Sequence, residues 1–165
     1  LKILKTAKKS IDWLLLVSSL TLLTIMVIAI IYQVFARQVL HDTPAWATPL
    51  ANLLFVWVSF LGIAYGFKER LHIGVGLIVN IFPEKIQDII DYATKILIIG
   101  FGLLMMYYGW LFTTLMGGSG ISGLGVPSSF LYAAVPVSGF FVTFYGVELL
   151  FKKGLHQTMD EVSEE

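Results

Sequence analysis

The chain has 165 residues, of which 57% are hydrophobic and 13% charged, with a mean hydropathy of +0.83. Soluble domains carry about 25% charged residues, so water is not its main solvent. Eleven basic residues balance eleven acidic ones and there is no cysteine, which argues against nucleic-acid binding and excludes disulfides, cysteine-based zinc sites, iron–sulfur ligation and thiol redox chemistry.

Residues 1–12 set Lys2, Lys5, Lys8 and Lys9 among Leu1, Ile3, Leu4, Ala7 and Ile11. This is the pattern of a basic amphipathic segment resting on anionic headgroups. The first long apolar run, Trp13 to Ala36, carries no charge and is closed by Arg37. A signal peptide has an apolar core of about 7–15 residues, so this longer run reads as a retained spanning helix over about 13–37.

A short loop, Arg37 to Thr48, leads to the second run, Pro49 to Phe67, which predicts a helix over about 49–68. Ser59, Gly62 and Gly66 form a small-residue stripe at helical spacing, the kind that lets helices approach closely in lipid. Trp46 suits an interface anchor, whereas Trp57 lies near mid-helix and suits contact with protein.

The next tract, Leu71 to Phe82, is apolar apart from His72 and Asn80 and is flanked by Lys68, Arg70 and Lys85. As a helix it would rise about 18 Å, short of the roughly 30 Å hydrocarbon core. Residues 71–82 must therefore enter and leave on one face. They do so either as a helix lying in the interface or as a bent re-entrant segment, which Gly74 and Gly76 would favour.

Pro83 opens a third helix, about 84–116, in which Asp91 and Lys95 pair at i, i+4 before the uncharged run from Ile96 to Met116. The glycine-rich stretch GGSGISGLG follows; it lacks the Lys-Ser/Thr ending of a phosphate loop and reads as a flexible turn. A fourth helix spans about 128–151 and includes Pro136 and Glu148, and residues 152–165 form an acidic tail. Glu148 either pairs with Lys152 at the membrane surface or serves as a proton or cation relay.

Lysine and arginine set the orientation. They crowd the amino-terminal flank, the 68–95 segment and Lys152–Lys153, whereas the loop after helix one has Arg37 alone and residues 117–129 have no charge. The rule that positive loops stay inside puts both termini in the cytoplasm. The predicted fold is an all-α integral membrane protein with four transmembrane helices and short interfacial amphipathic elements.

Motifs with chemistry are few. The three histidines, His41, His72 and His156, lie in loops or the tail, so no pair of facing helices supplies haem ligands. No cofactor, metal or catalytic site is expected, and the chain reads as packing surface rather than as an enzyme. Arg37 is placed to hold a partner's carboxylate or a lipid phosphate, or else to snorkel as an interface arginine. A self-contained four-helix transporter or channel acting as an oligomer is the alternative. Small exporters of that kind, however, carry a buried Glu in helix one, and this helix one has no acid.

The run VFARQVLHDTPAW, then LANLLFVWVSFLGIAYGFKERLHIGVGLIVNIFP, then GISGLGVPSSFLYAAVPVSGFF, resembles the small (Q-type) membrane subunit of TRAP transporters, the tripartite ATP-independent periplasmic systems of bacteria and archaea. Arg37, Trp46, Trp57, Gly62, His72, Ile73, Pro127 and Pro136 occupy positions of that pattern, over nearly the whole chain. The sequence departs from it at Thr48, Pro49 and Asn52, where the family usually has acidic and basic residues, and at Gly76, where it often has Asp.

The resemblance implies a scaffold in the inner membrane, anchoring a large elevator-type subunit that carries the substrate and sodium sites. A periplasmic binding protein would deliver an organic acid, a carboxylate such as a C4-dicarboxylate or sialic acid, with the similarity of the Leu50–Phe67 run leaning towards sialic acid. The expected partners are thus the large subunit, the binding protein and membrane phospholipids. Arg37, Trp46, Trp57, Gly62, Gly66, His72, Pro127 and Pro136 are the candidate interface or anchoring residues.

Overall fold

The computed structural model describes residues 2–70 and 83–151, and among them every regular element is helical. The 71–82 tract, with His72, and the tail from residue 152 lie outside the described residues.

Helix α1 (Lys2–Phe35, 34 residues) runs without a break past residue 12 into the apolar run, since no glycine or proline interrupts it. At 1.5 Å per residue it is about 51 Å long, so it extends well beyond the hydrocarbon core. It winds into a π-helical turn, Ala36–Leu40, which His41 closes in the left-handed region at φ 54.

Helix α2 (Ala47–Arg70) carries Pro49 in its first turn, where a missing N–H costs no intrahelical bond. Helix α3 (Glu84–Leu115, 32 residues) is capped by Pro83, whose carbonyl accepts from the amides of Ile86 and Gln87. The fourth span is split into α4 (Ser129–Tyr132) and α5 (Ala134–Phe151). Pro136 explains the division: it has no N–H for the carbonyl four residues back, and restarting the helix at Ala134 puts the proline in a first turn.

Four stretches are long and apolar enough to cross a membrane: Lys9–Leu40, Ala47–Gly66, Ile89–Gly118 and Ser129–Leu150. They pack as a row. α1 packs on α2, α2 on α5 and α5 on α3, leaving α1 and α3 at opposite ends. Two small cores tie the row together. Ala64, Ile98, Val142 and Leu149 join α2, α3 and α5, while Leu15, Leu61 and Tyr145 join α1, α2 and α5.

The α3–α5 seam is built on glycine. A methyl group on Gly109 would come within 2.8 Å of Pro136, and one on Gly146 within 2.8 Å of Ile99. Lipid tails are as apolar as leucine, so close van der Waals packing across such small residues is what drives helices together.

The glycine-rich loop is more ordered than its composition suggests. Ser128 N–H donates to Ser119 O at 2.7 Å and Ile121 N–H to Val126 O at 2.8 Å, with an antiparallel bridge between Gly120 and Pro127. Gly123 and Gly125 supply the positive φ values, 88 and 66, that turn the chain. The expected flexible turn is instead a hydrogen-bonded hairpin, and Gly123 lies so near the Ala45 carbonyl that a side chain there would collide with it.

Candidate interaction surface

The uncharged segments Trp13–Ala36, Ala47–Phe67, Ile96–Leu115 and Ala134–Val147 hold no Asp, Glu, Lys, Arg or His. Among the described residues no three His, Asp or Glu side chains are grouped to hold a metal ion. Two open grooves flank α3 and α5. One, of about 980 Å³, is lined by Met106, Trp110, Pro136 and Phe140 among others, and the second, of about 400 Å³, by Tyr108, Gly109 and Tyr132 among others. Grooves of this kind offer mainly shape and dispersion contacts, and neither has a charged side chain or a histidine in its lining.

The charged and polar contacts collect near the helix ends. Between α1 and α5, the Tyr145 hydroxyl donates to Asp12 Oδ1 at 2.6 Å. On α3 the Lys95 ammonium lies 2.8 Å from Asp91 Oδ2, with the two residues 6% and 9% exposed, and Asp91 Oδ1 has no hydrogen-bond partner. At the opposite end Gln33 Nε2 donates to Thr48 Oγ1 at 2.6 Å, and Tyr32 stacks on Trp46 with ring centroids 5.8 Å apart.

The candidate residues divide by this geometry. Trp57 is committed internally: its indole N–H donates to Phe130 O at 2.9 Å, and its ring packs against the Leu15–Leu61–Tyr145 core. Pro127 is held in the hairpin bridge and Pro136 in the seam against Gly109. Arg37 stands exposed on the π-helical turn, and Trp46 is exposed on the face away from Tyr32.

Among the described residues, nothing lies within 4 Å of where a Cβ would sit on Gly62 or Gly66, so their packing does not consume this stripe. With Phe55, which is exposed, they lie at i, i+7 and i+11 along one face of α2. Most of the apolar surface is likewise uncovered. Between 11% and 33% of the four spans is buried inside the chain, and Trp110 is 66% exposed.

Sequence reasoning did not find the Asp12–Tyr145 contact, since 133 residues separate the partners and no local pattern links them. It found the Asp91–Lys95 pair by its spacing but not its burial. The one advance signal for Asp12 was its position, an acid directly before an uncharged run.

Comparison with known proteins gives a consistent result. The family model described as the DctQ component of tripartite ATP-independent periplasmic transporters matches residues 26–153. The chain is 30% identical over 129 residues to the sialic acid TRAP transporter permease protein SiaT of Haemophilus influenzae, a match covering 76% of this chain and 21% of that protein. It is 24% identical over 149 residues to the sialic acid TRAP transporter small permease protein SiaQ of Vibrio cholerae, covering 90% and 86%. Against the C4-dicarboxylate TRAP transporter small permease protein DctQ of Pseudomonas aeruginosa the identity is 33% over 104 residues, covering 60% and 49%. The chain thus spans about a fifth of the SiaT relative and nearly the full length of SiaQ.

Proposed function

The chain belongs to the DctQ family, the small membrane component of tripartite ATP-independent periplasmic transporters, and from that premise we propose that it acts by association, as the scaffold for a larger transport subunit. The observation that carries this reading is the uncovered apolar surface of a row of helices with no Asp, Glu, Lys, Arg or His along their uncharged middles. A self-contained transporter needs charge or polarity at depth to bind its cargo, because such groups are kept in lipid only where they work. A subunit that braces another needs surface. In the SiaT relative the matching segment occupies about a fifth of a longer permease, which supports a large membrane chain as the partner.

On this reading the partner carries the substrate and sodium sites and moves as an elevator against the stationary row. The cargo is an organic acid, with relatives named for sialic acid and for C4-dicarboxylates. A soluble binding protein delivers it on the outer side, where the hairpin 119–128 and the first loop lie together. The lysine and arginine bias supports an orientation with both termini in the cytoplasm, in the inner membrane. Phospholipids cover whatever surface the partner leaves free. Gly62 and Gly66 supply a site of close helix approach, and Arg37 supplies a guanidinium for a partner carboxylate or a lipid phosphate.

Affinity purification of the tagged chain from its native membrane tests the reading. A much larger multi-helix chain should accompany it in fixed stoichiometry, and Arg37→Ala should reduce the yield of that chain. Recovery of the tagged chain alone, in mild detergent and in lipid nanodiscs, would count against a scaffold.

A further inference from the structure

The apolar stretch of α1 is longer than the hydrocarbon core is thick, so hydropathy alone would let this helix slide along the membrane normal or rotate about its axis. Two polar contacts remove that freedom. At one end, Tyr145 on α5 donates to Asp12 on α1, and one turn further along α1 Leu15 is fully buried against Leu61 and Tyr145. Tyr65 and Glu148 also stand close enough to Tyr145 to act on it electrostatically, so α1, α2 and α5 all contribute to this polar knot. At the other end Gln33 donates to Thr48, beside the Tyr32–Trp46 stack.

Asp12 and Gln33 are separated by 21 positions in the sequence. At 1.5 Å per residue that is about 31 Å, close to the roughly 30 Å hydrocarbon thickness. The two clips therefore stand one membrane core apart, each where its polar atoms meet the interface while the uncharged run fills the space between. A polar side chain moved inward from either end would enter hydrocarbon, and one moved outward would lose its partner.

We propose that Asp12 and Tyr145 are positioning residues that, together with the Gln33–Thr48 pair, fix the height and rotation of α1 against the row and so present the Ala36–Leu40 turn, with Arg37, at a set level. The proposal does not rest on the scaffold reading. It concerns how this chain holds its own first helix.

The absence of cysteine makes the test direct. Single cysteines replace Lys9, Trp13 or Leu16 on α1, or Tyr92 on α3, all exposed in the structure. The full chain is then labelled with an impermeant maleimide in inverted membrane vesicles, whose cytoplasmic face is outward. Tyr145→Phe and Asp12→Ala should each change the labelling rates on α1 about threefold, the factor set by losing one interhelical hydrogen bond in a bilayer, while Tyr92 is unaffected. Asp12→Asn keeps an acceptor oxygen and should restore the original rates, which distinguishes the hydrogen bond from general packing. Tyr145→Phe preserves the ring that Leu15 packs on, so it carries the measurement if Asp12→Ala fails to accumulate. Unchanged rates on α1, or an equal change at Tyr92, would overturn the proposal.

Discussion

Gly102 and Gly139 face each other across the α3–α5 seam, so closely that a methyl group added to Gly139 would fall 2.9 Å from the Gly102 carbonyl oxygen and 2.8 Å from Met105 Cβ. These are backbone and near-backbone atoms, with little room to give. Gly139→Leu should destabilise the isolated chain by more than the roughly 1–3 kcal/mol usual for overpacking. Gly62→Leu projects into space that the described residues leave open and should not lower its thermal stability, while lowering recovery of the larger chain in co-purification. Thermal unfolding in detergent, run beside the pull-down, separates the two effects.

Trp57 ties α2 to the short helix α4. Its indole N–H reaches Phe130 O at 2.9 Å, next to the place where Pro136 forces the fourth span to restart. Trp57→Phe keeps an aromatic ring against Leu61 and Tyr145 but leaves that carbonyl without the indole donor. The expected cost is about 0.6–1.7 kcal/mol, the range for interhelical hydrogen bonds in a bilayer. Hydrogen exchange should show the loss concentrated around 128–134. An even loss over all four spans would mean that the contact is packing rather than a tie.

The Asp91–Lys95 pair is more exacting. Both residues are largely buried, and one Asp91 oxygen already lacks a partner. Lys95→Met would leave the carboxylate with no ammonium beside it, and breaking a buried pair in this way costs about 3–5 kcal/mol. Asp91→Asn, which keeps an acceptor, should cost less. Comparing the midpoints of thermal unfolding for the two variants checks the order, and equal stability would show that the pair is effectively solvated.

Four spans were legible because each is a long run of uncharged residues, and hydrocarbon thickness turns run length directly into topology. The break at Ala133 was foreshadowed by Pro136, although the sequence alone suggested one continuous helix over 128–151. The hairpin 119–128 was not legible, because glycine composition signals permitted conformations and not the hydrogen bonds that select one. Among the candidate residues, the spacing of Gly62 and Gly66 showed a small-residue stripe but not which side it faces; the described residues leave it open, whereas Gly102 and Gly109 on α3 and Gly139 and Gly146 on α5 are packed into the seam. Trp57 was read as suited to a protein partner, and the residues that occupy its indole and ring are in this same chain, 73 positions away in the case of Phe130. Contacts at such separation depend on which helices are neighbours in the row, and periodicity within one helix carries no record of that.

The central claim is that this chain supports transport without performing it. Its most direct test is uptake of radiolabelled sialic acid and of a C4-dicarboxylate into proteoliposomes under an inward sodium gradient. The purified chain alone should give no uptake above protein-free liposomes. Adding the larger membrane chain that co-purifies with it, together with the cognate binding protein, should give sodium-dependent uptake of one of the two acids. Uptake by this chain alone, saturable and abolished by Glu148→Gln, would contradict the account and make it a transporter in its own right.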